Sequence, residues 1–305
     1  MILISVLRVI IDWEKQKTVL QRLVMTLALL VAAGGTAACG LVAGGSPQVL
    51  TTTTILADMA KQVAGDRMTV GSIVPAGAHV EEYEPRPDDA KRMSEAKLVV
   101  TNGLDLDKWV DPLLRNAKSG TPVVTVTDGL PDVEENPHMW FDPSLARQYV
   151  DKIRDALIAL DPAGKDAYTT NAKNYSDQLV SLEAELKAKI ATIPPDRRKL
   201  VTSHDAFPYF AKAFGFEVVG FAQPEPDKMP SAGELAELID KVKAAKVPAI
   251  FSESGVSPQL AETIAKETGA KVIADLPTDS LLDKPADSYI GLMRVVVDKI
   301  VAALK

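Results

Sequence analysis

Only three histidines occur in the 305 residues, and each sits in its own short polar turn: GAHVEEYEP around His79, NPHMWFDP around His138 and TSHDAFPYF around His204. Imidazole is the commonest metal-ligating side chain, and here no imidazole is spent elsewhere. Each has an ordinary alternative taken singly: an exposed loop histidine at His79, a hydrogen bonder at a helix entry for His138, a helix N-terminal group for His204. Together they point to a metal site, because each falls at an expected strand end or loop and none lies in an apolar stripe.

The elements that position them alternate. Val49 to Thr54 reads as a strand, Leu56 to Val63 as a helix and Met68 to Val74 as a strand. The helix Pro87 to Ala96, the strand Leu98 to Thr101, the helix Leu106 to Ala117 and the strand Val123 to Val126 follow. This βαβα order implies a parallel sheet with helices on both faces. A second block repeats the order from Leu200. It has strands at Leu200–Thr202, Val218–Phe221, Ala249–Phe251 and Val272–Ala274. Its helices are Phe207–Phe214, Leu235–Ala245 behind a Ser231/Glu234 capping box, one opened by Ser257-Pro258 and ended by Gly269, and Ser288–Leu304.

Between the blocks, Leu145, Tyr149, Ile153 and Leu157 mark one helix, ended by Asp161-Pro162. The next runs from about Lys165 to Ile193, with Ala172, Tyr175, Leu179, Leu182, Leu186, Ile190 and Ile193 stepping by three and four. That spacing buries one stripe of an otherwise charged rod roughly 40 Å long. Half of a coiled coil is the alternative reading, but the heptads are few. The expected organisation is α/β: two doubly wound lobes, 49–162 and 196–305, joined by one long rigid helix, 163–195, with the metal site in the cleft between lobes.

Ligands of doubly wound sheets bind beyond the carboxyl ends of the strands. His79 and His204 follow strands, His138 precedes a helix that begins near Pro143, and Asp279 follows Val272–Ala274 in the same way, which makes it a fourth candidate. Helix capping is the alternative for Asp279. Glu253 reads as an acid behind the ligands, Glu84 and Asp142 as groups that orient imidazoles, and Trp140, Phe141, Phe207 and Tyr209 as packing around the site.

The single cysteine, Cys39, follows the apolar run Leu23 to Ala33, which is preceded by Lys15, Lys17 and Arg22. The run is shorter than the about 20 residues a membrane span needs, and it reads as the core of a signal peptide covering 1–38. Thr36-Ala37-Ala38-Cys39-Gly40 resembles a bacterial lipoprotein processing site, with Cys39 lipidated and 39–48 serving as anchor and linker. Thr36 departs from the expected leucine, and ordinary cleavage is the alternative. The leader carries a net +2, from Arg8, Lys15, Lys17 and Arg22 against Asp12 and Glu14, so the −7 of the whole chain becomes about −9 after processing. An acidic exported body argues against nucleic acid as a partner and suits cations. There is no glycine-rich phosphate loop, no G-x-S-x-G elbow, no HExxH helix and no aromatic-basic patch.

Five motifs in this order, HVEEYEP at His79, PHMWFDP at His138, SHDAFPYF at His204, FSES at Glu253 and TDS at Asp279, resemble those of the zinc/manganese solute-binding proteins of bacterial ABC transporters. The resemblance covers nearly the whole mature chain. It implies a metal site of His79, His138, His204 and Asp279 and a monomer anchored by lipid to the outer face of the cytoplasmic membrane, or periplasmic if unanchored. It also implies delivery of the ion to a permease driven by an ATPase.

Three imidazoles and a carboxylate suit tetrahedral Zn(II), whereas Mn(II) prefers more oxygen. Zn(II) is therefore the expected cargo and Mn(II) the alternative, and no histidine-rich loop lies between Val80 and Pro137 to gather metal. A metal-binding adhesin or scavenger would carry the same motifs. A zinc hydrolase would need an open coordination position and a general base, and Asp279 closes the first while no motif supplies the second.

Overall fold

The computed structural model describes residues 47–223, 228–255 and 257–305. The expected leader, Cys39 and most of the linker after it lie outside the described residues. Two four-stranded parallel sheets carry the chain. The first contains β1 (Val49–Thr51), β2 (Val70–Ser72), β3 (Leu98–Thr101) and β4 (Val123–Thr125), in the order β2-β1-β3-β4. The second contains β5 (Lys199–Thr202), β6 (Glu217–Phe221), β7 (Ala249–Glu253) and β8 (Lys271–Leu276), in the order β6-β5-β7-β8. In each sheet the strand that comes first in sequence lies between the second and the third. The order therefore reverses beside β1 and β5, and loops leaving the carboxyl ends open a crevice there.

Local chemistry sets the helix ends. Thr53 caps α1 (Thr54–Ala64) by accepting the Leu56 N–H at 3.1 Å. The Ser231/Glu234 capping box opens α7 (Ala232–Ala245), and the left-handed Gly269 closes α8 (Gln259–Thr268). Between α1 and these lie α2 (Pro87–Glu95), α3 (Asp111–Leu114), α4 (Pro143–Leu160), α5 (Lys165–Ile190) and α6 (Pro208–Phe214), and α9 (Tyr289–Leu304) comes last.

The helix expected over Leu106–Ala117 is not one helix. A 3₁₀ turn, Lys108–Val110, leads into the single turn of α3. The buried Asp107 carboxylate accepts from Thr52 Oγ1 and from the N–H groups of Asn102 and Gly103, which ties this segment to the ends of β1 and β3. Leu104 and Asp105 take positive φ to reach it, and Pro112 lacks an N–H to extend a regular ladder.

The 26 residues of α5 span about 39 Å at 1.5 Å per residue. Its buried stripe is the predicted one with Tyr168 added: Ala172, Tyr175, Leu179, Leu182, Leu186 and Ile190 are inside, as is Ile193 beyond its end. It packs against α4, α1 and α9, so it is a pillar common to both halves rather than one strand of a coiled coil. A continuous core runs from Val49 through this stripe to Leu304, and a smaller one of Val201, Leu238, Val242, Ile250 and Ile264 fills the space between the second sheet, α7 and α8. One core through both sheets resists relative motion, because separating them would strip packed apolar surface.

Candidate metal centre

Loops at the carboxyl ends of β2, β4, β5 and β8, and the last residue of β7, converge on one buried cluster. His138 and His204 are each 2% exposed and Asp279 3%. The two Nε2 atoms lie 3.2 Å apart. His138 Nε2 is 3.4 Å from Asp279 Oδ1, and His204 Nε2 is 3.8 Å from Asp279 Oδ2. Two nitrogens bound at about 2.05 Å to one tetrahedral ion would be about 3.3 Å apart, so the rings already stand at the spacing of ligands to a common cation.

His138 ends the loop from β4 and enters the 3₁₀ turn Met139–Phe141, whose three side chains are buried. Asn136 Oδ1 accepts from the His138 backbone N–H and faces ring Nδ1, both at 3.0 Å. The Asn136 amide nitrogen donates to the Asp205 carbonyl at 2.6 Å, so its oxygen is the atom turned to the ring. That assigns the proton to Nδ1 and leaves the Nε2 lone pair for a cation. Tyr209 holds the same loop, donating to the Asn136 carbonyl and accepting from the Val133 N–H. Phe141 stacks on Phe207 at 4.6 Å, and Tyr289 donates to the Trp140 carbonyl. The four aromatic residues singled out in the sequence are packing, with Tyr209 in addition fastening a loop.

His204 follows β5 directly. The Glu253 carboxylate stands behind it: Oε1 accepts the His204 backbone N–H at 2.9 Å, and Oε2 is 2.6 Å from Nδ1, an ion contact off the direction of the ring N–H. Thr278 Oγ1 donates to the same Oε2 at 2.9 Å. Burial alone would depress the His204 pKa, but the charges of Glu253 and Asp279 outweigh it and raise it to about 10. Asp279 shifts the other way. Burial opposes its ionisation, yet the imidazoles of His204 and His138 hold it below the ordinary aspartate range. Neither Asp279 oxygen has a hydrogen-bond donor.

His79 joins neither group of converging donor atoms, although its charge still reaches Asp279. Its ring lies against the second half, where a Cβ on Gly255 would fall 2.8 Å from its Nε2; Gly255, at φ +82°, makes the room. Two residues on, Glu81 does enter, with Oε1 3.8 Å from His138 Nε2 and a side chain 23% exposed. Burial raises the Glu81 pKa, partly offset by His138. Among the described residues, the groups whose donor atoms all approach within 4.8 Å are Glu81–His138–His204 and His204–Glu253–Asp279. The turn that carries His79 and Glu81 is fixed by the Val80 carbonyl, which accepts from Trp109 Nε1 at 2.7 Å, and by Tyr83, whose hydroxyl donates to Asp89 at 2.7 Å. Asp142 does not orient an imidazole. It caps α4, accepting from the Ser144 N–H at 2.7 Å, and Glu84 is exposed.

The family described as the periplasmic component A of a zinc-uptake complex matches residues 49–303. An iron-binding protein of Yersinia pestis is 35% identical over 83% of this chain and 85% of its own. A manganese ABC transporter substrate-binding lipoprotein of Streptococcus anginosus is 32% identical over 95% and 99%. Among solved structures, a manganese-bound periplasmic metal-binding protein from Candidatus Liberibacter asiaticus superposes with a TM-score of 0.79, at 35% identity, over 84% of this chain and 99% of that one. A cleft that gathers two imidazoles and buried carboxylates between matched α/β halves belongs with these proteins, and the chain is a member of the zinc-uptake component A family, metal-binding solute-binding proteins of ABC transporters rather than enzymes.

Proposed function

We propose that this protein captures a divalent first-row transition-metal ion outside the cytoplasmic membrane and hands it to a permease driven by an ATPase. His138, His204 and Asp279 hold the ion. The observation that carries the reading is the Asp279 carboxylate: buried, without a hydrogen-bond donor, and facing two Nε2 atoms at 3.4 and 3.8 Å. A buried carboxylate in that state needs a cation as partner. With a fourth protein ligand supplied by the loop after β2, the shell leaves no position for a catalytic water, and the site then suits binding and transfer. Handing the ion on then requires that one or more of these ligands let go.

Zn(II) is the cargo that a three-imidazole set would select, and it accords with the description of the family. It requires the His79 ring to reach the converging donor atoms, which it does not join in this structure. Mn(II) is the second reading, favoured by the carboxylates gathered at the cluster. Chain segments 49–162 and 196–305 act as the two walls, and lipidation of Cys39 would keep the monomer at the membrane. Metal analysis of the purified protein, with Zn(II) and Mn(II) offered in competition, tests the function. His138→Ala and His204→Ala are expected to abolish tight binding with the fold intact. Wild-type affinity in either variant, measured against a chelator, would overturn the assignment.

A further inference from the structure

We infer that Glu81, and not His79, is the ligand contributed by the loop between β2 and α2, and that this carboxylate sets the metal preference of the site. The inference rests on the reading that His138, His204 and Asp279 hold the ion.

Geometry separates the two candidates. The His79 ring lies beside Gly255 and is in neither group of converging donor atoms, while Glu81 Oε1 is within 4 Å of His138 Nε2 and within reach of His204. The loop is braced so that this difference persists. Val80, between the two, is buried, and its carbonyl is held by Trp109. Exchanging His79 for Glu81 would need the Val80 side chain to leave the core and that hydrogen bond to break. Glu81 also closes the cluster from outside: the other three groups are 2–3% exposed, whereas Glu81 is 23% exposed, so it is the ligand nearest solvent. An ion entering or leaving meets this carboxylate first.

With Glu81 the donor set is two imidazoles and two carboxylates in place of three imidazoles and one. Zn(II) binds more tightly than Mn(II) at almost any nitrogen-oxygen site, so what the ligand set controls is the size of that advantage. Replacing an imidazole by a carboxylate narrows it and admits the higher coordination number that Mn(II) favours, because a carboxylate can offer one oxygen or two. The substrate class is therefore the oxygen-tolerant end of the series, Mn(II) and Fe(II), with Zn(II) as competitor.

The test compares Glu81→Gln, Glu81→His, His79→Ala and His138→Ala in the full-length chain, titrated with Mn(II) and with Zn(II) against a chelator. Loss of an outer partner of a ligand costs about 10–100-fold in affinity, so loss of a ligand itself is expected to cost at least about 100-fold. Glu81→Gln should show that loss for Mn(II), while His79→Ala stays within about threefold of wild type for both ions. Glu81→His should raise the ratio of zinc to manganese affinity at least about tenfold. Full affinity in Glu81→Gln together with collapse in His79→Ala would overturn the inference and leave the site intact. Full affinity in His138→Ala would overturn the site itself. Circular dichroism of each metal-free variant separates both results from failure to fold.

Discussion

Glu253 grips His204 at two points, the backbone N–H through Oε1 and ring Nδ1 through Oε2, with both residues buried. The strand end at β7 thereby fixes a ring carried by β5, so the second sheet delivers His204 as a positioned group. Burying a carboxylate there is tolerable because it is shared among His204, Thr278 and the imidazole charge. Glu253→Gln keeps an acceptor for the backbone N–H and removes the charge behind the ring. Metal affinity is expected to fall about 10–100-fold, measured by chelator competition with Mn(II) and Zn(II). An unchanged dissociation constant would show that Glu253 only packs.

The same contact makes metal binding a competition with protons. In the metal-free protein the His204 pKa lies near 10, above the ordinary 6.5. A raised folded-state pKa contributes stability that is fully present below about 6.5 and is lost as pH rises through about 10. The metal-free protein should thus lose resistance to denaturant across that window. Asp279, shifted downward, keeps its charge throughout it. A bound ion displaces the His204 proton, so affinity should rise by up to about tenfold per pH unit and fall as the solution is acidified. Calorimetry in two buffers of different ionisation enthalpy reads the released proton directly. Affinity that stays flat from about pH 7.5 down to 5.5 would contradict the displacement.

What was legible in the chain was whatever depends on short-range pattern. The stripe on α5, the capping box at Ser231 and the αL glycine at 269 are local, and they stand where spacing and residue type put them. His138, His204 and Asp279 came together because loops at strand ends of a parallel sheet have little choice of direction. The choice between His79 and Glu81 was not local. Both lie in one turn, and Glu81 rather than His79 joins the converging donor atoms in a loop held by the Trp109–Val80 bond, 29 residues apart in sequence. Residue type favoured the histidine, and backbone direction favoured the acid. The helix expected from Leu106 failed for a related reason, since Asp107 is drawn to Thr52, 55 residues away. Asp142 did carry a local sign: Asp-Pro-Ser opening an apolar-periodic run is a helix cap, and that signal was available. Asn136 announced itself only by lying two residues before His138.

Asn136 merits its own variant, because it joins the loops that carry His138 and His204. Its oxygen fixes the His138 tautomer and its nitrogen ties that loop to the carbonyl of Asp205, next to His204. Asn136→Ala should release the tautomer and loosen the spacing of the two rings, weakening metal binding about 10–100-fold with the fold kept. Nitrogen-15 NMR of the metal-free protein gives a readout that packing alone would not move: His138 should be the Nδ1–H tautomer in wild type and a mixture in the variant. A mixture already present in wild type would remove Asn136 from this role.

Asp279, the proposed ligand from the loop after β8, is also tied to the first half. Its neighbour Ser280 accepts the Gly77 N–H at 2.9 Å and lies 3.2 Å from Thr54 Oγ1, which in turn accepts the Leu281 N–H at 2.8 Å. Thr54 opens α1, and Gly77 lies in the loop that carries Glu81, so Asp279 is coupled to the first sheet while His204 rides on the second. Parting the cluster therefore has to break this tie as well as the bond from Asn136 to the Asp205 carbonyl beside His204. Ser280→Ala removes the nearer of two acceptors for the Gly77 N–H, leaving the Leu281 carbonyl at 3.1 Å, and also the contact with Thr54, and should forfeit about 1 kcal/mol of this fastening. That corresponds to metal leaving roughly fivefold faster. Stopped-flow release into a fluorescent chelator measures the rate, and Ser280→Thr, which keeps the hydroxyl, should restore it. An unchanged release rate in Ser280→Ala would mean that the loop holds Asp279 in place without this tie.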